Sequence, residues 1–425
     1  MTAILFTNVR VLDCTGADPF VGEVLVEGQT IKAVATGNEA LDRAGARVVS
    51  GNGQTTLMPG LIESHAHLSI DNTADLADLG AIPPEEHTLL TMHNARRYLG
   101  YGITSCISAA AAKPRLDIVI RNAINAGEIP GPRLLAASPW LTVTGGLGDL
   151  RRLHMPHVES MAIVADGPDA YQRLSRELIR EGVDIIKLVV SGDTFVPHAG
   201  SETTVMSEAE VAAAADVAHA HGKRLSAHAR SAESIKRCVR HGVNVIYHAN
   251  FTDAEALDLL EENKDWVFVS PNIGFTAIAA YEGSEWFSEQ QVLDMGFRTE
   301  LQQAVDGVRE MRKRGIRILG GGDYGFSLTP HGNNARDLDH FVRHFDFSPM
   351  ESLLTMTKHG GAAMGMPDRL GQIQPGFLAD LLLVDGDPLS DPRLLIDHQN
   401  LLAVMKDGQF HKQPLHDTTS ITETA

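Results

Sequence analysis

Six side chains able to bind metal or move protons stand at or near the ends of short apolar runs. They are His65 and His67 in LMPGLIESHAH, Lys187 in DIIKLVV, His228 in RLSAHA, His248 in VNVIYHA and Asp323 in IRILGGGD. His65 and His67 are two apart, so on a strand both imidazoles project to the same side. Two such imidazoles make half of a transition-metal site, although HxH also arises by chance in a chain with 19 histidines. A lone histidine closing an apolar run is more often a satisfied core group than a ligand. His228 and His248 share one relative position on consecutive runs, and that shifts the balance toward a shared site. His219, His221 and His241 fall at helix ends, where a histidine is favourable without further chemistry. An unpaired ammonium at Lys187 would be costly to bury. Burial would lower its pKa and free the neutral amine for covalent chemistry; snorkelling or pairing is the plainer reading. Asp323 follows three glycines that leave the strand tip bare. A carboxylate there can ligate a metal and accept a proton from bound water, or simply form a turn.

These residues need a scaffold that brings distant strand ends together. Eight apolar runs serve: 57–67, 103–108, 133–138, 184–190, 224–229, 243–249, 266–271 and 316–323. Helical stretches lie between them, including 207–222, 231–242 and 255–262, the first two ending in Gly as helix C-termini favour. Apolar strands alternating with helices imply a parallel sheet covered on both faces. Eight of them suit a (β/α)8 TIM barrel, an α/β fold that takes about 250 residues and builds its site at the carboxyl ends of the strands. A doubly wound sheet would announce itself with GxGxxG or GxxxxGK[ST] after the first strand, and neither is present. Short strand-like runs recur at both ends of the chain, and neither end has enough strands to bury a sheet face alone. The expected organisation is therefore a small β-sandwich domain from 1–57 plus 369–415, a barrel over 58–368, and a loose polar tail over 416–425.

The chain has 425 residues, 43% hydrophobic and 21% charged, with a net charge of −18. That is globular usage, and the charge opposes nucleic-acid and anionic-membrane partners. No stretch is long and apolar enough to span a bilayer. The N-terminal MTAILFTNVR lacks the basic n-region of a signal peptide. Cys14, Cys106 and Cys238 are far apart with no CxxC, so neither a disulfide framework nor a thiolate zinc site is expected. The reading is a soluble, reduced, cytoplasmic protein acting on a small molecule.

The motifs together resemble the amidohydrolase superfamily over nearly the whole chain. LMPGLIESHAH is similar to its first-strand motif, and GQIQPGFLADLLLVDGDP to its return into the β-sandwich. The likeness implies the binuclear subtype, in which a lysine carboxylated by CO2 bridges two divalent metals, zinc first among Zn, Mn, Co and Fe. It assigns His65, His67 and Asp323 to the more buried ion, His228 and His248 to the other, and Lys187 to both. It implies attack by a metal-bridging hydroxide on an amide, carbamate or urea carbonyl, with Asp323 as general base, in a homo-oligomer. IKLVVSGD, AHARSAESIKRCVRHGVNVIYHANF and TPHGNNARDLDHF point to the branch of imidazolonepropionase-like proteins, Xaa-Pro dipeptidases, ochratoxinase, and phenylurea and molinate hydrolases. Mononuclear deaminases of the same fold carry HxxE on the fifth strand, where Ser231 stands here. A scaffold that has lost its metals is opposed by six intact ligands.

Two departures bear on the substrate. Leu147 replaces the histidine of the peptidases' TGGHGD, and Ala229 stands where they often place Tyr or His. A leucine and a methyl group cannot hold a substrate carboxylate, which favours a neutral, partly apolar substrate. The alternative is an Xaa-Pro dipeptidase, carboxypeptidase or ochratoxin-type N-acyl amino acid hydrolase, with His198, Arg230 or His331 supplying the carboxylate partner. Strand alternation turns Tyr247 away from the site, into the barrel wall.

Overall fold

A computed structural model of the protein describes residues 3–37, 39–158 and 160–414; the expected tail over 416–425 lies outside them. The apolar run 57–67 is not one strand but two. Thr55–Pro59 joins the sheet of the chain ends, and Leu61–Ala66 opens the barrel. The hinge is Gly60, where a Cβ would come within 2.2 Å of Thr104 Oγ1. Only glycine leaves room for the Thr104 side chain to pack so closely against this backbone.

Parallel strands follow at Ile103–Ser108, Arg133–Leu135, Ala137–Thr142, Ile185–Val189, Arg224–Ala229, Val245–His248 and Phe268–Ser270. Arg133–Leu135 pairs back to Ile103–Ser108, and Ala137–Thr142 pairs forward to Ile185–Val189. With Ala136 between them they act as one bent third stave, longer than the expected 133–138. The run at 316–323 makes only an isolated bridge, Ile318 with Val269. It still closes the ring: Leu319 N donates to Val269 O (2.8 Å) and Ser64 N donates to Gly320 O (3.2 Å). The glycines after Leu319 carry no side chains to hold a longer ladder, and Asp323 has φ +63°.

Ile62, Ile107, Ile185, Val245, Phe268 and Leu319, from staves all round the ring, pack into one cluster that fills the barrel interior. Helices cover the outside. Glu208–Ala220 begins with a capping box between Ser207 and Glu210, and Ala232–Arg240 is capped by the Ser231 hydroxyl. Each cap satisfies an otherwise orphaned backbone donor. These helices bury Val211, Ala214, Ile235 and Val239 against the strands.

Both chain ends meet in one eight-stranded sheet. Ala3–Val11 pairs with Phe20–Glu27, Ala46–Ser50 and Thr55–Pro59, and the last in turn pairs antiparallel with Leu381–Asp385 from the far end. Phe6, Val9, Val24, Phe377, Leu383 and Met405 form its core. An ion cluster ties this sheet to the barrel. Arg133, the first residue of the third stave, bonds Asp380 at 2.5 Å and also pairs with Asp407. The Asp380 side chain is 2% exposed, so removing its cation would leave a buried carboxylate unpaired. Arg133→Ala is expected to cost about 3–5 kcal/mol in denaturant unfolding. A loss below about 1 kcal/mol would show that the cluster does not bind the two layers.

Candidate active site

The six residues converge at the carboxyl ends of the barrel strands. His65, His67, Lys187, His228 and His248 are buried. The His65 ring lies 4.9 Å from that of His67 and 5.5 Å from that of His248, which is 4.5 Å from that of His228. Asp323 Oδ1 approaches Nε2 of His67 at 3.0 Å and Nε2 of His65 at 3.4 Å.

Tyr247 corrects the expectation from strand alternation. Its ring lies tilted against that of His65, with centroids 4.1 Å apart, Lys187 Nζ lies 3.9 Å from its centroid, and its hydroxyl donates to Ser64 O at 2.8 Å. It packs in the barrel interior beneath the site, turned toward these residues rather than away from them. His248 still reaches the site because, as the last residue of its strand, it turns left-handed, with φ +72°. The His248 N–H is held by Asn272 Oδ1 at 3.0 Å. Alternation fails here because a left-handed residue resets the direction of its side chain.

Burial governs the charges. Desolvation pushes His65 and His248 well below the ordinary histidine value and His228 down to about 3, leaving neutral imidazoles. It pushes Lys187 well below the usual lysine range, against the attraction of Asp323. Burial alone would raise Asp323, but His65 and His67 outweigh it and hold the carboxylate below its ordinary value. Nδ1 of His65, both ring nitrogens of His67, Nδ1 of His248 and Oδ1 of Asp323 are buried and make no hydrogen bond among the described residues. Such orphaned atoms demand another partner. The ligand atoms of His65, His67 and Asp323 lie within 4.8 Å of one another, and two imidazoles with one carboxylate fit a divalent transition ion at about 2.0–2.2 Å. His228 donates through Nε2 to Gly192 O at 3.0 Å, which leaves Nδ1 as its lone-pair nitrogen.

A cavity of about 900 Å3 opens over these residues, with His65, Lys187, His228, His248 and Asp323 at its base. Its wall includes the expected Leu147, His198 and Arg230, and also Trp140, Phe195, Phe275 and Phe326, which no spacing in the sequence signalled. Arg230 is committed to protein carboxylates: its Nε donates to Asp193 at 3.0 Å, and Nη1 pairs with Glu300 and with Asn250 at 3.0 Å. His198 Nε2 is bonded to Gly145 O at 2.8 Å. His331 is absent from the cavity wall. Its Nε2 binds Ile70 O at 2.6 Å and its N–H binds Asn72 Oδ1 at 2.8 Å, so it ties its own loop to the segment after the first strand.

Residues 56–410 match the model of the amidohydrolase family. The chain belongs to the amidohydrolase family. It is a hydrolase of carbon–nitrogen bonds. Ochratoxinase from Aspergillus niger is 24% identical over 376 residues, covering 84% of this chain and 76% of that protein. A crystal structure of an amidohydrolase is 28% identical, with a TM-score of 0.86 and coverage of 98% and 100%. A prolidase structure complexed with N-methylphosphonate-L-proline is 26% identical, with a TM-score of 0.85 and coverage of 97% and 100%. Ochratoxinase and prolidase are both in the branch that the sequence motifs resemble. No helix among the described residues of this amidohydrolase is long and apolar enough to cross a membrane.

Burial holds His331 down to about 4 from 6.5. Between those values the unfolded chain binds the extra proton, so stability rises with pH and is lost as pH falls from 6.5 through 4. The expected loss is on the order of 3 kcal/mol. Denaturant unfolding of His331→Gln should show a correspondingly flatter pH profile over that window; an unchanged profile would mean that His331 is not the buried base.

Proposed function

We propose that this amidohydrolase cleaves an amide, carbamate or urea C–N bond of a small, neutral and partly apolar substrate, using two divalent metal ions, zinc first. His65, His67 and Asp323 would hold one ion, His228 and His248 the other, with Lys187, as its CO2-derived carbamate, shared between them. Metal bound there lowers the pKa of coordinated water toward ~7 and polarises the scissile carbonyl. The approach of Asp323 to both His65 and His67, at 3.4 and 3.0 Å, is the observation that carries this reading.

The chain's own groups supply the rest. Lys187, kept neutral by burial, can add CO2: an N–C bond forms, a proton leaves, and the product is a carbamate anion in place of the neutral amine. Asp323 is ionised, so it can take the proton of the attacking water and return it to the departing nitrogen. Tyr247 and Asn272 hold His65, Lys187 and His248 in place from beneath. The substrate preference is supported by Leu147 on the cavity wall, the aromatic side chains around it, and the engagement of Arg230 by Asp193 and Glu300. The likeness to a prolidase favours a second reading, hydrolysis of a dipeptide or N-acyl amino acid.

Elemental analysis of protein purified without chelator should find about two transition-metal equivalents per chain. Lys187→Ala should lose most of them, and full metal content and activity in that variant would remove the bridging role. Asp323→Asn should lower turnover by several orders of magnitude; near wild-type rates would mean that another group is the base. On a substrate panel, neutral anilides, carbamates and ureas should exceed N-acyl-proline and N-acyl-phenylalanine in kcat/KM. The opposite order would establish the second reading.

A further inference from the structure

The cavity wall is unevenly built. On one side three rings run outward from the proposed metal ligands in successive edge-to-face contacts. Phe326 lies 5.8 Å from the His67 ring, Phe275 lies 6.5 Å from Phe326, and Phe195 lies 5.6 Å from Phe275. They come from three elements far apart in the chain: the loop after the eighth stave, the Ile273–Tyr281 helix and the loop after the fourth strand. Phe297, buried behind them, touches Phe195 at 6.1 Å and Phe275 at 6.3 Å and fixes the row from the back. The outer end of the row is wet. Phe195 is 49% exposed, and Trp286, also on the cavity wall, is 50% exposed. The facing segment is polar, with the Asp149–Arg151 ion pair on the lining.

Rings used only for packing would be covered at both ends. Here the inner end abuts a proposed ligand and the outer end is open, with every member on the cavity wall. We propose that the Phe326–Phe275–Phe195 row is a subsite for an extended alkyl or aryl arm, so that substrates carry a long apolar substituent on one side of the scissile bond and Phe275 sets the length preference. This rests on the hydrolase reading above, but the arm's binding is measurable without turnover.

Alkyl phenyl ketones of increasing chain length have no C–N bond to cleave. Two of the three tryptophans, Trp140 and Trp286, line the cavity, so binding to the metal-loaded enzyme is read from intrinsic emission. Affinity should rise about fourfold per added methylene until the row is covered. Phe275→Ala should flatten that dependence throughout. Phe195→Ala, at an exposed position that folding does not require, should weaken only the longest members. Replacing the exposed Leu293, which is off the cavity wall, should change nothing. Affinities independent of chain length, or an unaltered slope in both phenylalanine variants, would overturn the subsite. Holoenzyme that binds the ketones with the expected slope but cleaves no amide, carbamate or urea of the panel would keep the subsite and overturn the proposed substrate class. Cleavage of those bonds with a flat ketone series would do the reverse.

Discussion

Desolvation at the mouth of the barrel is the constraint on which the site depends. Four imidazoles, an amine and a carboxylate are brought from five staves into a space that excludes most water. Charged imidazoles and an ammonium would be unstable there, so His65, His228, His248 and Lys187 are held as neutral donors. Asp323 is the exception, kept ionised by His65 and His67. Neutral nitrogens around one anionic oxygen attract a divalent cation, and a barrel mouth can afford such a strained set because the rest of the fold is rigid.

That rigidity comes from below and from the side. Tyr247 is wedged between His65 and Lys187, and its hydroxyl is bonded back to the first strand. Asn272 anchors His248 by its backbone, from just before the Ile273–Tyr281 helix. The terminal sheet contributes at a distance through Gly60 and the Arg133–Asp380 pair, which fix how the first and third staves enter the ring. The loops above, by contrast, differ in character from side to side, aromatic around Phe275 and polar around Asp149. Substrate choice is expected to reside in that asymmetry, as loop residues on a fixed barrel commonly decide specificity.

Much of this was legible in the residues alone. The HxH spacing, a lysine inside an apolar run, and Asp323 after three glycines each mark a position where burial and chemistry conflict, and such conflicts cluster at functional sites. The alternation of strand and helix is a local pattern, and it indicated the barrel. The run at 57–67 misled because hydrophobicity does not register a glycine required by the Thr104 side chain packed against it. Tyr247 misled because strand alternation assumes a regular backbone, and His248 is left-handed. His331 resembled a substrate contact by its place after Asp323, yet hydrogen bonds to Ile70 and Asn72 direct it elsewhere.

The amino-acid sequence by itself determined which groups are available and the order in which the strands deliver them, because period and spacing are properties of the chain. Tertiary structure alone decided which charges are free. Arg230 is a cation in the sequence, but Asp193 and Glu300, from elements 37 and 70 residues away, occupy its fork. The Phe326–Phe275–Phe195 row has no sequence period, since its members come from three separate loops and helices. Pairing and ring contact depend on distances across the barrel, and those exist only once the ring has closed.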